Sequence, residues 1–104
     1  MTHFRILQIN NIAGCEYAFH GYKKDKFNIE DYKQVYNLES ENMDDMSDLE
    51  TLEVLFYLFN MQRPEDFTGH SLSISDCVHI ERNGKCRLYY CDIVGWTLIK
   101  EVRA

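Results

Sequence analysis

The chain has 104 residues, 45% of them apolar, and a formal net charge of −6 at pH 7. This length fits one domain over residues 1–104 with its own core, and a content of one proline and five glycines excludes a disordered or linker-rich chain. The excess of carboxylates repels phosphate backbones, which argues against direct nucleic-acid binding and favours a basic protein partner.

The first third of the chain is predicted to form strands. Residues 4–9 are a short, apolar run rich in strand formers. A second strand is predicted from Cys15 to Tyr22, where aromatic residues recur. Residues 31–38 are expected to form a third strand, because Tyr and Val are frequent there.

One helix is predicted over residues 47–61. Ser47 and Glu50 form a capping box, in which a hydroxyl and a carboxylate each satisfy a free backbone donor at the helix start. The apolar residues of the helix are Leu49, Leu52, Leu55, Phe56 and Phe59, widened by Val54, Leu58 and Met61. Because the second half is apolar on most sides, we expect that half to be buried against a sheet.

The last third is predicted to contain a β-hairpin that begins with a strand over residues 72–81. Asn83-Gly84 is a strong signal for the turn. A two-residue loop would pair Ile80 with Arg87 and would mix charge with core on both faces. We therefore predict a three-residue loop that ends at a left-handed Gly84 and places Ile80 opposite Cys86.

Together the elements predict an α+β fold. The expected architecture is a small single domain in which an antiparallel sheet with a C-terminal hairpin packs against one main helix at about 47–61. The start of the chain lacks the apolar core of a signal peptide, and no stretch approaches the ~20 apolar residues of a membrane span. We therefore expect a cytoplasmic protein that does not bind membranes.

The four cysteines of the chain are Cys15, Cys77, Cys86 and Cys91. Thiols stay reduced in the cytosol, and these spacings match no zinc ribbon or zinc finger. We therefore predict free cysteines that act as small hydrophobic residues, with no tightly bound metal and no cofactor. Zinc stays an alternative, with His70 or His79 completing a site. The predicted register places Cys86 on the core face and leaves Cys77, His79 and Cys91 as a partial cluster on the other face.

The run His70-Ser71…Ser73…Ser75-Asp76 combines an imidazole, hydroxyls and a carboxylate, the groups that a hydrolase uses. Its serines alternate along a predicted strand and lack the G-x-S-x-G context of a nucleophile. We predict that these side chains cap turns and bond backbone groups, and that His70 is a structural donor. The chain is accordingly predicted not to be an enzyme.

An acidic run lies between Lys33 and Arg63, where no basic residue occurs. Its seven carboxylates are Glu39, Glu41, Asp44, Asp45, Asp48, Glu50 and Glu53. The run is either the solvated surface of a loop and a helix, or a negative ridge that docks where nucleic acid sits on a nuclease. In the second case these seven residues bind the partner. Reversing Asp44, Asp45 and Asp48 to lysine is expected to keep the fold, with ~0.5 kcal/mol lost at the helix start.

The chain contains a series of short motifs. They are Phe4-Arg5-Ile6, Asp31-Tyr32…Val35-Tyr36, Phe59-Asn60…Arg63-Pro64-Glu65-Asp66-Phe67, Gly69-His70-Ser71-Leu72-Ser73-Ile74-Ser75-Asp76 and Tyr90-Cys91-Asp92…Gly95-Trp96. In this order they resemble the YodL-like domain family over nearly the whole chain, and the stretch 63–76 is the most specific. The resemblance implies a setting in mobile genetic elements, namely conjugative elements, plasmids and phages. It supplies no catalytic residues.

Two functions from different classes follow from these observations. In the first, the chain binds and inhibits a host defence nuclease, as anti-CRISPR and antirestriction proteins of mobile elements do. Its partner is then a basic Cas effector or restriction enzyme, which it contacts through the acidic run. In the second, the chain is a structural or zinc-stabilised accessory module whose protein partner belongs to the conjugative element or phage itself.

Overall fold

A computed structural model describes residues 1–103. The strands are β1 (Thr2–Ile9), β2 (Tyr32–Ser40), β3 (Cys77–Arg82), β4 (Lys85–Cys91) and β5 (Trp96–Arg103), and the helix is α1 (Asp48–Met61). All neighbouring strands are antiparallel, in the spatial order β2-β1-β3-β4-β5. One antiparallel sheet and one helix confirm the predicted α+β class. Within the described residues, no helix has the length and apolar character that crossing a bilayer requires.

The strand predicted from Cys15 to Tyr22 is wrong. β1 pairs directly with β2, and residues 10–31 between them form a covering segment. This segment runs over the sheet in successive turns and ends in a short 3-10 turn at Ile29–Asp31. At its base, the backbone N–H of Asn10 donates to the carbonyl of Asp31 over 2.8 Å. The aromatic residues that suggested a strand pack onto the sheet instead of pairing within it.

Both faces of the sheet carry buried residues, the second face over part of its area. On the helix-facing face, the core consists of Phe4, Ile6, Val78 and Ile80 with Leu52, Leu55 and Phe59 of α1. On the second face, Cys77, Leu88 and Tyr90 pack with Tyr22 and Phe27 of the covering segment. The ring of Tyr90 meets that of Tyr22 edge-on at 5.2 Å, and its hydroxyl donates to the carbonyl of His20 over 2.7 Å. The sheet is therefore the middle layer between the helix and the covering segment.

The β3–β4 hairpin has a two-residue loop, so the predicted register is wrong. Ile80 lies opposite Arg87 and not opposite Cys86. Asn83 has a φ of 52° and Gly84 a φ of 72°, which is typical of the type I′ turn whose twist matches the flanking strands. The left-handed Gly84 is thus confirmed. Charge is tolerated beside Ile80 because a carboxylate at the start of α1 neutralises Arg87.

The start of α1 agrees with the prediction. The hydroxyl of Ser47 accepts a hydrogen bond from the N–H of Glu50, and the carboxylate of Glu50 accepts one from the N–H of Ser47. Both bonds measure 3.1 Å, which confirms the capping box.

The second half of α1 is buried on one side only, where the sequence predicts burial on most sides. Leu55 and Phe59 lie in the core, but Phe56, Tyr57 and Met61 are 38%, 54% and 71% exposed. A helix that packs on one side of a sheet buries only one of its own sides. The apolar residues on the opposite side of α1 therefore face solvent.

Candidate protein-interaction surface

Asp48 is bound inside the molecule and not presented on an open acidic ridge. Its Oδ1 atom accepts from Arg82 over 2.7 Å, and Oδ2 accepts from Arg87 over 3.1 Å and from the hydroxyl of Tyr89 over 2.5 Å. Only 12% of the Asp48 side chain is exposed. Burial alone would raise the pKa of Asp48, but the three donors outweigh burial and lower it. Reversing this charge would break the cluster, so Asp48 leaves the set of candidate contacts.

Asp44 and Glu50 are held by the fold but reach solvent. The hydroxyl of Thr2 donates to Asp44 over 2.8 Å, and this bond lowers the pKa of the Asp44 carboxyl. Glu50 completes the capping box with Ser47. Both side chains keep a negative charge at the surface, although each already serves a local contact.

The other four predicted carboxylates are exposed. They are Glu39, Glu41, Asp45 and Glu53. None of them takes part in the ion pairs found within residues 1–103. Their charge is therefore open to a partner.

The outer helix surface is the solvent-facing side of α1. It consists of Leu49, Glu50, Glu53, Phe56, Tyr57 and Met61. Exposed apolar side chains bordered by charged residues are typical of protein interaction sites. The sequence prediction missed this surface because it assigned Leu49, Phe56 and Met61 to the buried side of the helix. The signal was present, since a helix that is apolar on most sides has more apolar surface than one sheet face can cover.

An aromatic groove adjoins the outer helix surface through Glu53 and Phe56. It has a volume of about 360 Å³ and is lined by Glu53, Phe56, Ile74, Cys91, Asp92, Ile93, Gly95 and Trp96. The ring of Phe56 stands edge-on to that of Trp96, with 6.5 Å between their centroids. The hydroxyl of Thr97 donates to Asp92 over 2.6 Å and lowers the pKa of this carboxyl, which is ionised at neutral pH.

Residues 70–76 form a hydrogen-bonded turn, and β3 begins only at Cys77. The Oδ2 atom of Asp76 accepts from the N–H of Ser73 over 2.8 Å and from the side-chain amide of Gln8 over 3.0 Å. The hydroxyl of Ser75 accepts from the N–H of Phe19 over 2.9 Å. The prediction that these side chains cap turns and bond backbone groups is confirmed, whereas the predicted strand start at residue 72 is wrong.

Both ring nitrogens of His70 face groups of this turn. Its Nδ1 lies 2.7 Å from the carbonyl oxygen of Ser71 and must donate there, because a carbonyl only accepts. Its Nε2 lies 3.8 Å from Oδ1 of the buried Asp76. Burial raises the pKa of Asp76 to about 7. His70 is thus a structural donor, as the sequence predicts.

The three cysteines in the sheet are divided between its two faces, and Cys15 lies in the covering segment. Cys86 lies opposite Glu81 on the second face, so its predicted place on the core face is wrong. Cys91 lies opposite Trp96 on the helix-facing face, which separates it from Cys77 and His79 on the other side. Burial raises the pKa of Cys77 and raises that of Cys91 to about 12, so both are neutral thiols at pH 7. Over residues 1–103, no three His, Cys, Asp or Glu side chains converge as metal ligands.

The part of the second face that the covering segment leaves open carries the opposite charge. A groove of about 480 Å³ is lined there by Arg5, Leu7, Ile29, His79, Cys86, Leu88, Lys100 and Val102. Arg5 donates to Nδ1 of His79 over 3.0 Å, and burial together with the Arg5 charge lowers the pKa of His79. Arg5 lies 3.9 Å from the carboxylate of Glu81, whereas Lys100 has no ion pair within residues 1–103 and would repel a basic partner here. Such a partner fits the helix side of the molecule instead.

Fold and surface together define a small α+β domain whose candidate site is an open binding surface. The sequence matches the YodL-like domain family over residues 3–102, and the chain belongs to this family. The predicted resemblance is thereby confirmed over nearly its full length. Comparisons with curated proteins and with solved structures gave no match.

Proposed function

We propose that this chain is a non-enzymatic binding domain that inhibits a host defence nuclease, either a Cas effector or a restriction enzyme, in the cytoplasm. The observation that carries the proposal is the outer helix surface, where exposed carboxylates and exposed apolar side chains lie side by side. The partner is basic, and the contact covers the groove in which the nuclease holds nucleic acid.

The charge distribution supports this choice of partner. Asp45 and Glu53 are exposed at the start of α1 and on its outward side, in a chain of net charge −6. Such a surface attracts a groove lined with lysine and arginine and accelerates encounter. Because the same groove binds phosphates, an acidic surface that occupies it excludes the substrate.

The exposed apolar residues of the outer helix surface supply binding energy that surface charge alone does not provide. The cores of protein interfaces are enriched in aromatic residues and methionine, and a few such anchors contribute most of the binding energy. Phe56, Tyr57 and Met61 are exposed beside the carboxylate of Glu53. They can therefore anchor a complex that the carboxylates orient.

The geometry of residues 70–76 supports a role without catalysis. A general base needs a ring nitrogen that is free to take a proton from a nucleophile. Nδ1 of His70 donates to the carbonyl of Ser71, Nε2 faces the buried Asp76 and not a hydroxyl, and the hydroxyl of Ser73 donates to the carbonyl of Ser71 over 2.9 Å. These groups therefore stabilise the turn and do not form a catalytic pair.

The test is inhibition of DNA cleavage by a CRISPR nuclease and by a restriction enzyme, with two charge-matched double variants. The first, Asp45→Lys with Glu53→Lys, reverses two exposed carboxylates next to the outer helix surface. The second, Asp25→Lys with Glu30→Lys, reverses two exposed carboxylates of the covering segment and gives the same net charge. We expect the parent and the second variant to inhibit one of the enzymes, and the first variant to lose inhibition.

Association kinetics refine the test. The first variant should bind more slowly than the second, and the difference between them should shrink as salt is raised, because exposed charges are screened. Equal loss of inhibition in both variants would show that net charge acts without a defined surface. Failure of the parent to inhibit either enzyme would overturn the inhibitor function. Capture of a protein of the mobile element instead would then support the accessory-module function.

A further inference from the structure

The aromatic groove combines apolar and acidic side chains. Its lining includes Phe56, Ile74 and Trp96 together with Glu53 and the ionised Asp92. No lysine, arginine or histidine lines it. A ligand that fits must therefore carry a positive charge on an apolar or planar stem.

We propose that this groove is a socket for one arginine side chain of the basic partner. The inference rests on the function proposed above and names the group on the partner that this surface binds. Its volume of about 360 Å³ admits a single side chain with some remaining water. The other groove, with Arg5 and Lys100, has the wrong charge for such a ligand.

The guanidinium group matches the socket better than an ammonium group does. It is planar, weakly hydrated and stacks on aromatic rings, while its fork of donors fits a carboxylate. Here the indole of Trp96 offers the ring and Glu53 offers a carboxylate that has no ion pair within residues 1–103. The three methylenes of arginine would lie along Phe56 and Ile74.

The chain provides its own reporter for this site. Trp96 is the one tryptophan in the sequence, so its fluorescence reports on the groove alone. The probe is the capped pentapeptide Gly-Ser-Arg-Ser-Gly, titrated against the full chain. Matched peptides carry citrulline, which has the shape of arginine without its charge, or lysine in the same place.

We expect a saturable change in Trp96 fluorescence with the arginine peptide, and on the order of tenfold weaker binding of the citrulline peptide. Lysine should bind less tightly than arginine. Glu53→Gln should bring the arginine peptide down to the citrulline level. Glu30→Gln is the matched control, because it removes an exposed carboxylate of the covering segment that does not line the groove, and it should leave binding unchanged.

Three outcomes would overturn the socket. They are equal binding of the arginine and citrulline peptides, equal binding of arginine and lysine, and equal loss in the two glutamine variants. Because the peptide assay contains no nuclease, its result is separable from the function. If the chain binds the arginine peptide but inhibits no nuclease, the socket stands and the inhibitor function is wrong. If the chain inhibits a nuclease but does not bind the arginine peptide, the socket alone is wrong.

Discussion

At the scale of single residues, Asp48 and Arg82 join the helix to the hairpin. Arg82 donates to Asp48, to the carbonyls of Met43 and Met46 over 2.9 and 2.7 Å, and to the hydroxyl of Thr51 over 2.9 Å. Its guanidinium thus fixes the turn before α1 as well as the helix start. Removing the carboxylate leaves Arg82, whose side chain is only 9% exposed, without its counter-charge.

Replacing Asp48 is therefore expected to be costly. Asp48→Asn should lower the free energy of unfolding by ~3 kcal/mol, since a nearly buried cation loses its partner. Asp45→Asn removes a neighbouring exposed carboxylate and should change stability by less than ~0.5 kcal/mol. Urea unfolding of both variants measures the difference. Equal, small effects would mean that the cluster contributes little to folding.

Asp76 predicts an unusual pH dependence of stability. Burial raises its pKa to about 7 in the folded chain, from an ordinary value of 3.8. Between these values the folded chain holds a proton that the unfolded chain has released, so stability falls as pH rises from about 4 to about 7. The geometry suits a protonated carboxyl, because Oδ2 accepts both hydrogen bonds and Oδ1 faces Nε2 of His70.

The isosteric variant Asp76→Asn tests this dependence. Its amide oxygen can accept the same two hydrogen bonds, and its stability should lack the decline between pH 4 and pH 7. The difference in unfolding free energy between variant and parent should grow in favour of the variant by roughly 2–4 kcal/mol across this window. Urea midpoints measured every half pH unit give the two curves. Parallel curves would contradict the raised pKa of Asp76.

At the scale of elements, the hairpin turn makes a local prediction. Asn83 and Gly84 are both left-handed, and a Cβ atom added at Gly84 would meet no neighbour within 4 Å. The cost of a substitution is therefore conformational and not steric. Gly84→Val should destabilise the chain by more than ~1 kcal/mol, whereas Asn83→Gly should be close to neutral. Thermal unfolding of the two variants measures these changes. A Gly84→Val variant as stable as the parent would contradict the turn conformation.

Local signals in the sequence were enough to predict most strands and the helix, but not the register of the β3–β4 hairpin. The capping box and the Asn83-Gly84 turn act within a few residues, so both are visible in the sequence. The register depends on Asp48, which lies far from Arg87 in the chain and makes a charged residue acceptable beside Ile80. The predicted register also assumed that only one face of the sheet is buried. This assumption fails because the covering segment buries residues on the second face as well.

The candidate surface could be predicted only in part for the same reason. Exposed charge is visible in the sequence, and four carboxylates of the acidic run are indeed open to solvent. The sequence does not show which carboxylates form ion pairs inside the fold, because Asp48 pairs with Arg82 and Arg87, which lie far from it in the chain. The exposure of Phe56, Tyr57 and Met61 likewise follows from having one sheet beneath one helix.

At the scale of the whole molecule, the sheet separates two surfaces of opposite charge. The outer helix surface carries Glu50 and Glu53 on one side, and the open part of the second face carries Lys100 and the Arg5–Glu81 ion pair on the other. The basic partner that we propose would therefore have a preferred direction of approach.

The covering segment has a consequence for the opening motions of the chain. Beyond its base, the segment is linked to β4 and to the loops beside it through side chains. The N–H of Phe19 donates to the hydroxyl of Ser75, the N–H of Tyr22 donates to Asp92, and the hydroxyl of Tyr90 donates to a segment carbonyl. The ladder of five strands does not depend on them. The segment is thus able to open as a separate cooperative unit while the sheet and helix persist.

Hydrogen exchange would resolve this unit. Amides of residues 10–31 should exchange through openings of lower free energy than those of β1, β3 and β4. Tyr22→Ala, which removes a ring from Tyr90, should accelerate exchange within the segment and leave the central strands protected. A uniform loss of protection would instead mean that the layers unfold together. If the unit exists, two populations of the native chain interconvert, and the second face of the sheet is transiently bare in one of them.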